Sequence, residues 1–378
     1  MECDFLIVGA GIAGASVGYE LAAHGKVIVL ERESQPGYHS TGRSAAMYIE
    51  SYGNAPVRAI TAAGRSFFEH PPTGFAESPL LKTRGVLYLA RKDQLAKLEH
   101  DYAELKKEAP GLRLLAKNEA LALFPLVNPD YLEAAFLDGD AMDMDVHAIH
   151  QGFLKGLRAR GGRVASSAEV TAAERRGSTW QVRTPAGDFS APVLINAAGA
   201  WADVLAARAR VKPIGLVPKR RTAFIFEPPA GARVDGWPLA ADVAEQFYLK
   251  PEAGKFLGSP ADETPVEPQD VQPEELDVAV AADRIERAVS FKIARIERRW
   301  AGLRSFVKDK TPVVGFAADA EGFFWLAGQG GYGIQTSATM ARIAAALARG
   351  GPLPSDVAAR GVREAQLAPL RCQTTEGG

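Results

Sequence analysis

Cysteine is scarce in this sequence of 378 residues, because only Cys3 and Cys372 occur and they lie near opposite ends. Two such thiols do not build the disulfide framework of a small secreted domain. We therefore expect both thiols to be chemically inert and the chain to be cytoplasmic. Peripheral association with a membrane is left open.

Neither sign of charge is in excess, and no long apolar run occurs. The chain carries 44 Lys and Arg against 45 Asp and Glu, a net charge of −1, so we expect no binding of nucleic acid. The longest apolar runs, FLIV and VIVL, have the length of strands and fall far short of the roughly 20 residues of a transmembrane helix. The first residues, MECD, lack the basic start and apolar core of a signal peptide. We expect neither a transmembrane segment nor a leader.

The N-terminal segment alternates between strand-like and helix-like patterns. An apolar run from Phe5 to Val8 leads into GAGIAG, a helical pattern from Ile12 to His24, and a second apolar run from Val27 to Leu30. Strand, turn, helix and strand form a βαβ unit, which predicts a parallel sheet. The chain is also long enough for two domains.

Gly9, Gly11 and Gly14 make a G-x-G-x-x-G pattern directly after the first strand. In a dinucleotide site the first glycine allows the tight turn, the second lets the backbone approach a pyrophosphate, and the third lets helix and strand pack closely. Glu31, twenty residues beyond Gly11, has the spacing of the carboxylate that binds the adenosine ribose. A carboxylate there would repel the 2′-phosphate of NADP. The pattern alone leaves FAD and NAD open.

Two further segments favour FAD. The apolar strand in VLINAAGAWAD and the glycine-rich loop in AGQGGYGIQTS lie in the middle and near the end of the chain, a distribution typical of glutathione-reductase-like flavoproteins. A helix that begins near Ile334 directs its positive end towards a flavin ring. The predicted fold class is α/β, with a Rossmann-like FAD-binding domain of glutathione-reductase type and an inserted α+β substrate domain with an antiparallel sheet. We expect the first domain at residues 1–78, 142–208 and 308–378, and the second at residues 79–141 and 209–307.

The segment DMDVHAIH has the composition of a metal site. It holds Asp143, Asp145, His147 and His150, and two histidines three residues apart on a helix can bind one metal ion. Asp145 is equally suited to cap a helix that starts near Val146, with both histidines on its surface. We favour the cap and expect no metal site.

Taken together, the segments DFLIVGAGIAGASVGYELAAHGKVIVLERE, GYHSTGRSAA, INAAGAWAD, PKRRTAFIF, WAGLRSFV and GFFWLAGQGGYGIQTSA resemble the D-amino-acid oxidase family of FAD-dependent flavoproteins. The likeness is greatest to the bacterial D-amino-acid dehydrogenases, D-arginine dehydrogenase among them. It implies hydride transfer from the substrate Cα to flavin N5, and hydrolysis of the imino acid to a 2-oxo acid and ammonia. It also implies an electron acceptor, a quinone or another, while oxidase and dehydrogenase activity both stay open. We expect the FAD to be bound non-covalently.

The resemblance assigns cofactor-binding residues in each of these segments, with Ser44 and Ala45 nearest the flavin ring. They are Gly9, Gly11, Ile12, Ala13, Gly14, Glu31, Arg32, Ser40, Thr41, Arg43, Ser44, Ala45, Ala46, Val170, Ala198, Gly199, Trp201, Gly302, Gly330, Gly331, Tyr332, Gly333, Ile334 and Gln335.

Two arginines match the family's carboxylate-binding residues, Arg221 and Arg304. A guanidinium suits this role because it pairs with a carboxylate through two parallel hydrogen bonds. Arg220 stands beside Arg221, and since side chains alternate along a strand, Arg220 is the alternative at this position.

Other positions complete the expected substrate site. By resemblance, Tyr52 and Tyr248 cover the substrate carboxylate, and the backbone carbonyl oxygen of Gly331 accepts from the substrate amine. Gln335 is a further pocket residue.

Two positions of the expected pocket depart from relatives that prefer D-arginine. Those relatives carry a histidine where this chain has Met47 and an acidic residue where it has Val86. The neighbouring Leu239 and Ala241 are also apolar, and a cationic side chain would lose its hydration there without a partner. Glu50 lies three residues from Met47 and has two possible orientations, towards a cation or outward into solvent, of which we favour the second. The expected substrate is a D-amino acid with a neutral, hydrophobic side chain.

Two other functions stay open. One is a flavin oxidase of secondary amines such as glycine, sarcosine or a proline derivative, which would use the same arginines. The other is a non-catalytic dinucleotide-binding redox sensor.

Overall fold

In the computed structural model, residues 1–373 are described, and they form four β-sheets flanked by helices. The strands are β1 (Phe5–Val8), β2 (Val27–Leu30), β3 (Met47–Tyr48), β4 (Leu81–Thr83), β5 (Val86–Ala90), β6 (Arg113–Leu115), β7 (Ala134–Asp138), β8 (Met142–Met144), β9 (Arg163–Ala165), β10 (Ala172–Arg176), β11 (Thr179–Thr184), β12 (Gly187–Ala191), β13 (Val193–Asn196), β14 (Val217–Phe226), β15 (Leu239–Asp242), β16 (Tyr248–Glu252), β17 (Lys255–Ser259), β18 (Thr264–Pro265), β19 (Ile296–Phe306), β20 (Val313–Phe316) and β21 (Phe323–Ala327). The helices are α1 (Ile12–Leu21), α2 (Ala55–Glu69), α3 (Leu95–Lys106), α4 (Lys117–Leu123), α5 (Val146–Ala159), α6 (Ala202–Arg208), α7 (Glu275–Ala288), α8 (Ser337–Ala348), α9 (Ser355–Ala358) and α10 (Leu370–Gln373).

The first sheet has six strands in the order β20-β21-β13-β1-β2-β9. Its neighbours run parallel except for β20, which is antiparallel to β21. Both faces are covered: Ile7 and Val29 pack in a cluster with residues of α1, α5 and α8, whereas Leu6 and Ile28 pack with residues of β11, β12 and α6. Burial on both faces explains why these strands are continuous apolar runs.

The predicted βαβ unit is confirmed at β1, α1 and β2. Helix α1 ends at Leu21 rather than His24. The chain tightens there into a turn, in which the N–H of His24 donates to the carbonyl of Leu21 at 2.8 Å, as is common where helices end.

The second sheet has nine strands, in which β18, β14, β17, β16, β15, β5, β7 and β6 follow one another and β19 pairs with β14. Its neighbours run antiparallel except for β15 and β5. The predicted combination of a parallel sheet and an antiparallel one is therefore confirmed. One face carries Phe224, Phe226 and Phe256 into a core cluster with residues of α7.

Two small sheets complete the fold. Strands β10, β11 and β12 form an antiparallel sheet. Strand β8 pairs with both β3 and β4, which fixes the segment that follows the small-residue loop STGRSAA. Among the described residues, no helix combines the length and the apolar character that crossing a membrane would require.

Close packing between the first turn and α1 generates a prediction at Gly14. A Cβ there would lie 1.8 Å from the carbonyl oxygen of Gly9, whereas a Cβ at Gly18 in the same helix would lie 3.3 Å or more from the nearest atoms, which are side-chain methyl groups. We expect Gly14→Ala to lower the free energy of unfolding by about 3 kcal/mol, because a backbone atom cannot move aside. Gly18→Ala, the matched control, should change it by less than about 1 kcal/mol. Denaturant unfolding of both variants measures the difference, and equal effects would contradict the packing described.

Candidate functional site

One cavity lies between the six-stranded and nine-stranded sheets. Its lining includes Val8 and Leu30, the last residues of β1 and β2, together with Arg221 and Arg304 of β14 and β19. The carboxyl ends of parallel strands are where open α/β sheets bind ligands. Among the predicted cofactor-binding residues, Gly14 and Tyr332 do not line this cavity, and the others do.

The glycine-rich turn forms one wall. Gly9 has a φ of +104°, in the left-handed region that favours glycine, and a Cβ there would lie 2.4 Å from the carbonyl oxygen of Ala197. Thr41 Oγ1 accepts the N–H of Ile12 at 3.0 Å. Thr41 therefore fixes the loop of residues 40–46 to the first turn of α1, whose positive end faces the cavity.

Glu31 lies where β2 ends, and it is buried. Its Oε2 accepts the N–H of Ala10 and its Oε1 accepts the N–H of Glu33, both at 2.9 Å. These bonds hold the carboxylate against the glycine-rich turn. Since each carboxylate oxygen has a second acceptor site, the group can still accept from a ligand in the cavity.

Arg43 is held by β19 and by the loop between β18 and α7. Its Nη1 donates to the carbonyls of Val271 and Ala301 at 3.0 Å each, and its Nη2 pairs with Asp270. The neighbouring Ser40 donates to the carbonyl of Leu303 at 2.7 Å. The guanidinium of Arg43 therefore ties this loop to β19, and its hydrogen bonds are made with protein groups.

The segment after β13 contributes an aromatic wall. Trp201 lines the cavity with Ala198 and Gly199. The guanidinium carbon of Arg32 lies 4.7 Å from the centre of the Trp201 ring, and the ring of His39 lies 4.6 Å from it. These contacts place Arg32 over an indole face, an attractive cation–π arrangement.

The C-terminal glycine-rich loop lies against β19. A Cβ at Gly330 would lie 2.2 Å from the ring of Phe306, and one at Gly331 would lie 2.9 Å from Nη1 of Arg304, so glycine allows the loop to approach β19 this closely. Helix α8 begins at Ser337, and the prediction of a start near Ile334 is wrong by three residues. A separate turn precedes the helix, closed by the Thr336 N–H on the carbonyl of Tyr332 at 3.0 Å.

Strand pairing brings the two predicted arginines together. Lys219 lies opposite Arg304 and Arg221 lies opposite Gly302, so Arg221 and Arg304 are diagonal neighbours on one face of the pair. Arg221 is also fixed by its Nε, which donates to the carbonyl of Asp262 at 2.8 Å. Burial, and then the positive charge of Arg304, lower the pKa of Arg221 from its ordinary value.

Arg220 points to the opposite face. Its Nε donates to Asp277 at 3.0 Å and its Nη1 pairs with Glu274, both at the start of α7. Arg221 lines the cavity and Arg220 does not. The pairing of the strands therefore decides which of the two neighbouring arginines faces the cavity.

The predicted tyrosines lie near the arginine pair in different ways. Tyr248 lines the cavity. Tyr52 is not among the lining residues, but Nη1 of Arg304, which is, donates to its Oη at 3.4 Å. The buried Tyr332 packs against Tyr52 with ring centres 5.5 Å apart, which explains why it is absent from the lining.

Met47 is the apolar residue of the expected pocket that reaches the cavity. Val86 and Leu239 are buried and contact it in one cluster, with Ala241 packed at the edge. These three do not line the cavity, so the structure places them behind Met47 and Tyr248.

The two polar pocket residues use their side chains elsewhere. The amide of Gln335 accepts the N–H of Ile49 at 3.2 Å and donates to Ile49 O and Thr61 Oγ1 at 3.3 and 3.0 Å. Glu50 lies outside the cavity, where its Oε1 is 3.5 Å from Nη1 of Arg65, on the outward side that the sequence analysis favours.

Sequence reasoning missed two polar groups near the site. Gln329 lines the cavity, although its position inside AGQGG was a signal that it belongs to the loop. Asp138 is buried at the end of β7, directly opposite Val86. Nothing local marks it, because its neighbours are brought together by strand pairing.

The segment DMDVHAIH builds a helix start. Asp145 caps α5 by accepting the N–H of Ala148 at 2.8 Å, as predicted. His147 is exposed, but the expectation that His150 also lies on the surface is wrong, because it is buried with Nε2 2.9 Å from the carbonyl oxygen of Ala10. Within residues 1–373, no three His, Cys, Asp or Glu side chains are grouped to hold a metal ion.

Comparison with known proteins agrees with this geometry. A family model for FAD dependent oxidoreductases, the DAO family, matches residues 4–347. The uncharacterized oxidoreductase YurR of Bacillus subtilis is 24% identical over 352 residues, which cover 88% of this chain and 91% of YurR. Mitochondrial dimethylglycine dehydrogenase of Rattus norvegicus is 24% identical over 268 residues, 68% of this chain but 31% of the dehydrogenase. The solved structure of glycine oxidase from Geobacillus kaustophilus matches with a TM-score of 0.81 at 21% identity, covering 93% of this chain and 95% of the oxidase.

The cavity lining fits FAD. Within the described residues, the buried Nε2 of Gln329 has no hydrogen-bond partner, and an unsatisfied donor in a cavity wall suits a ligand acceptor. Glu31 suits the ribose hydroxyls, and the N-terminus of α1 suits the pyrophosphate.

The burial of His150 predicts a dependence of stability on pH. The ring contacts the carbonyl oxygen of Ala10 and so supports the glycine-rich turn. Burial lowers its pKa from the ordinary value of 6.5, so the folded protein favours the neutral ring while the unfolded chain takes up a proton. The stability that His150 contributes is therefore full above pH 6.5 and is lost as the pH falls through the folded-state pKa.

The measurement is the free energy of unfolding between about pH 7.5 and about pH 5.5. In the native protein, the free energy of unfolding should fall as the pH is lowered over this range. We expect a smaller fall in His150→Gln and an unchanged fall in His147→Gln, the exposed control. An unchanged decline in His150→Gln would show that the buried ring does not titrate in this way.

Proposed function

Since the chain belongs to the DAO family of FAD-dependent oxidoreductases, we propose that it oxidises a D-amino acid with a neutral, hydrophobic side chain. The product imino acid would hydrolyse to a 2-oxo acid and ammonia. The observation that carries this proposal is the partly buried pair Arg221 and Arg304, which lies in the same cavity as Glu31 and the glycine-rich turn. Bound FAD supplies the hydride acceptor.

In this proposal the arginine pair holds the substrate carboxylate. Two guanidinium groups on one face of the sheet repel each other, and burial strengthens that repulsion. A carboxylate between them would relieve it and would accept several charge-assisted hydrogen bonds. Tyr52, which already accepts from Arg304 at 3.4 Å, would cover the carboxylate from one side and Tyr248 from another.

The substrate amine would lie at Gly331. Its backbone packs against the guanidinium of Arg304, so a carbonyl acceptor and a carboxylate-binding group are adjacent, as the two ends of one α-amino acid require. Hydride leaves Cα only when the amine is neutral. A hydrogen bond from the amine to the carbonyl oxygen of Gly331 would orient the nitrogen lone pair for that step.

The side chain of the substrate would contact Met47. Val86, Leu239 and Ala241 surround Met47 on the protein side, and a cationic group there would lose hydration without a partner. Asp143 lies directly opposite Met47 in the strand pair and is already paired with Arg84 and Lys250. Two other acids near the pocket are also engaged, Glu50 with Arg65 and Asp138 with Ser51. These contacts favour a neutral side chain.

The division of the chain would follow the two large sheets. All six strands of the first sheet fall in residues 1–78, 142–208 and 308–378, and all nine strands of the second fall in residues 79–141 and 209–307. We propose the former as the FAD-binding domain and the latter as the substrate-binding domain. An acceptor, a quinone or another oxidant, would reoxidise the cofactor.

Non-covalent FAD is part of the proposal. His39 lines the cavity, but its Nε2 lies 2.8 Å from Glu33, and neither cysteine is in the lining. Burial raises the pKa of the Cys3 thiol to about 11, which keeps it protonated and unreactive. FAD should therefore leave the protein on acid precipitation.

A second candidate is oxidation of a secondary or tertiary amine that carries a carboxylate, such as sarcosine or a proline derivative. Relatives whose names specify dimethylglycine and sarcosine favour it. The same arginine pair would bind such substrates. A redox sensor is the third candidate, and it gives no role to the two partly buried arginines in the cavity.

Neighbouring arginines on opposite faces give a matched test of the carboxylate site. Arg221→Lys replaces a two-pronged donor by a point charge, and we expect kcat/KM for D-methionine to fall by about 10- to 100-fold, mainly through KM. Arg220→Lys, whose side chain faces α7, should change kcat/KM by less than about 2-fold. Steady-state kinetics with an artificial electron acceptor measures both, and equal losses would rule out the assignment of Arg221.

A substrate panel tests the side-chain preference. We expect kcat/KM for D-methionine, D-leucine and D-phenylalanine to exceed that for D-arginine and D-lysine, since the surroundings of Met47 offer a cation no free partner. Faster turnover of D-arginine would contradict the argument from Val86. Faster turnover of glycine, sarcosine or N-methyl amino acids would establish the second candidate instead.

A further inference from the structure

The segment from Ile49 to Tyr52 is a tight turn that carries Tyr52 to Arg304. The N–H of Tyr52 donates to the carbonyl of Ile49 at 3.2 Å, which closes the turn. The first residue of the turn is held by the side-chain amide of Gln335, through one hydrogen bond to its N–H and one to its carbonyl. One end of the turn is therefore fixed to the loop before α8.

The other end is fixed by a buried carboxylate. Ser51 Oγ donates to Asp138 Oδ2 at 2.6 Å. Each of the two residues is only 5% exposed. Asp138 is the last residue of β7, and its Oδ1 accepts the N–H of Asp140 at 3.2 Å. Because Asp138 lies opposite Val86, its side chain shares the sheet face that carries Val86.

The contact between Tyr52 and Arg304 is not enough to hold the tyrosine. The distance from Arg304 Nη1 to Tyr52 Oη is 3.4 Å, which is longer than a strong hydrogen bond, and Tyr52 is partly exposed. The ring also packs against Tyr332, and the backbone of residues 49–52, which Ser51 helps to fix, sets where the ring enters that contact.

We propose that Ser51 and Asp138 are positioning residues that hold Tyr52 over the carboxylate-binding arginine. The inference rests on the proposed function, because it assigns the pair a role in binding a substrate carboxylate. Burial shields the carboxylate of Asp138 from water. A hydrogen bond to such a charged acceptor stabilises the structure more than a hydrogen bond between neutral groups does. Loss of the Ser51 hydroxyl frees the turn, and Tyr52 then closes less often over the bound carboxylate.

The experiment measures binding and turnover in the holoenzyme. Benzoate serves as a carboxylate that cannot be oxidised, and its Kd is read from the flavin absorbance of the native protein and of Ser51→Ala, Ser51→Thr and Asp138→Asn. KM and kcat for D-methionine are measured in parallel.

We expect Ser51→Ala and Asp138→Asn to raise the Kd of benzoate and the KM by about 5- to 10-fold, with kcat changed by less than about 2-fold. Ser51→Thr keeps a hydroxyl and should restore most of the affinity. A role limited to stability would lower Tm without this split between KM and kcat.

Asp242→Asn is the matched control. Asp242 is a fully buried carboxylate of the same sheet, but it accepts from Gln94 at 2.9 Å and Tyr131 at 2.9 Å, away from the cavity lining. Its loss should lower Tm and leave the Kd of benzoate unchanged.

The outcomes separate the inference from the proposed function. If the native holoenzyme neither binds benzoate nor oxidises any amino acid, the proposed function is wrong. If it does both while Ser51→Ala and Asp138→Asn keep the native Kd, or if kcat falls as much as affinity does, Ser51 and Asp138 do not position Tyr52 and the inference is overturned.

Discussion

The antiparallel pairing of β14 with β19 is the interaction on which the site depends. It runs over the whole of β14, from Val217 to Phe226, and its register decides which side chains meet. With Lys219 opposite Arg304, Arg221 and Arg304 share one face and Arg220 turns to α7. A shift of one residue would exchange the two faces and bury the wrong arginine in the cavity. The aromatic cluster on the opposite face of β14 resists such a shift.

Glycine allows the two sheets to approach this arginine pair closely. At Gly330 and Gly331 an added Cβ would meet Phe306 and Arg304 within 3 Å, so the C-terminal loop can lie directly on β19. The loop of residues 40–46 is joined to the same strand through Arg43, whose guanidinium binds carbonyls of Val271 and Ala301. These contacts bring the glycine-rich turn of the first sheet and the cationic face of the second into one cavity.

Local patterns predicted more of the molecule than long-range contacts did. The βαβ unit and the cap at Asp145 are visible in the sequence because their residues are neighbours in the chain. The choice between Arg220 and Arg221 needs the partner strand, and the burial of His150 depends on Ala10, which lies 140 residues away. Asp138 and Ser51 are 87 residues apart, and no spacing rule joins them. The start of α8 was missed because an extra turn held by Thr336 precedes it.

Anaerobic mixing of the holoenzyme with D-methionine and with L-methionine tests the central claim most directly. That claim is that the arginine pair, the carbonyl of Gly331 and the apolar surface at Met47 each receive one substituent of the substrate Cα, so that a single enantiomer directs its hydrogen to the flavin. We predict that D-methionine bleaches the flavin absorbance and that L-methionine leaves it unchanged. Bleaching by both enantiomers alike, or by L-methionine alone, would contradict the account.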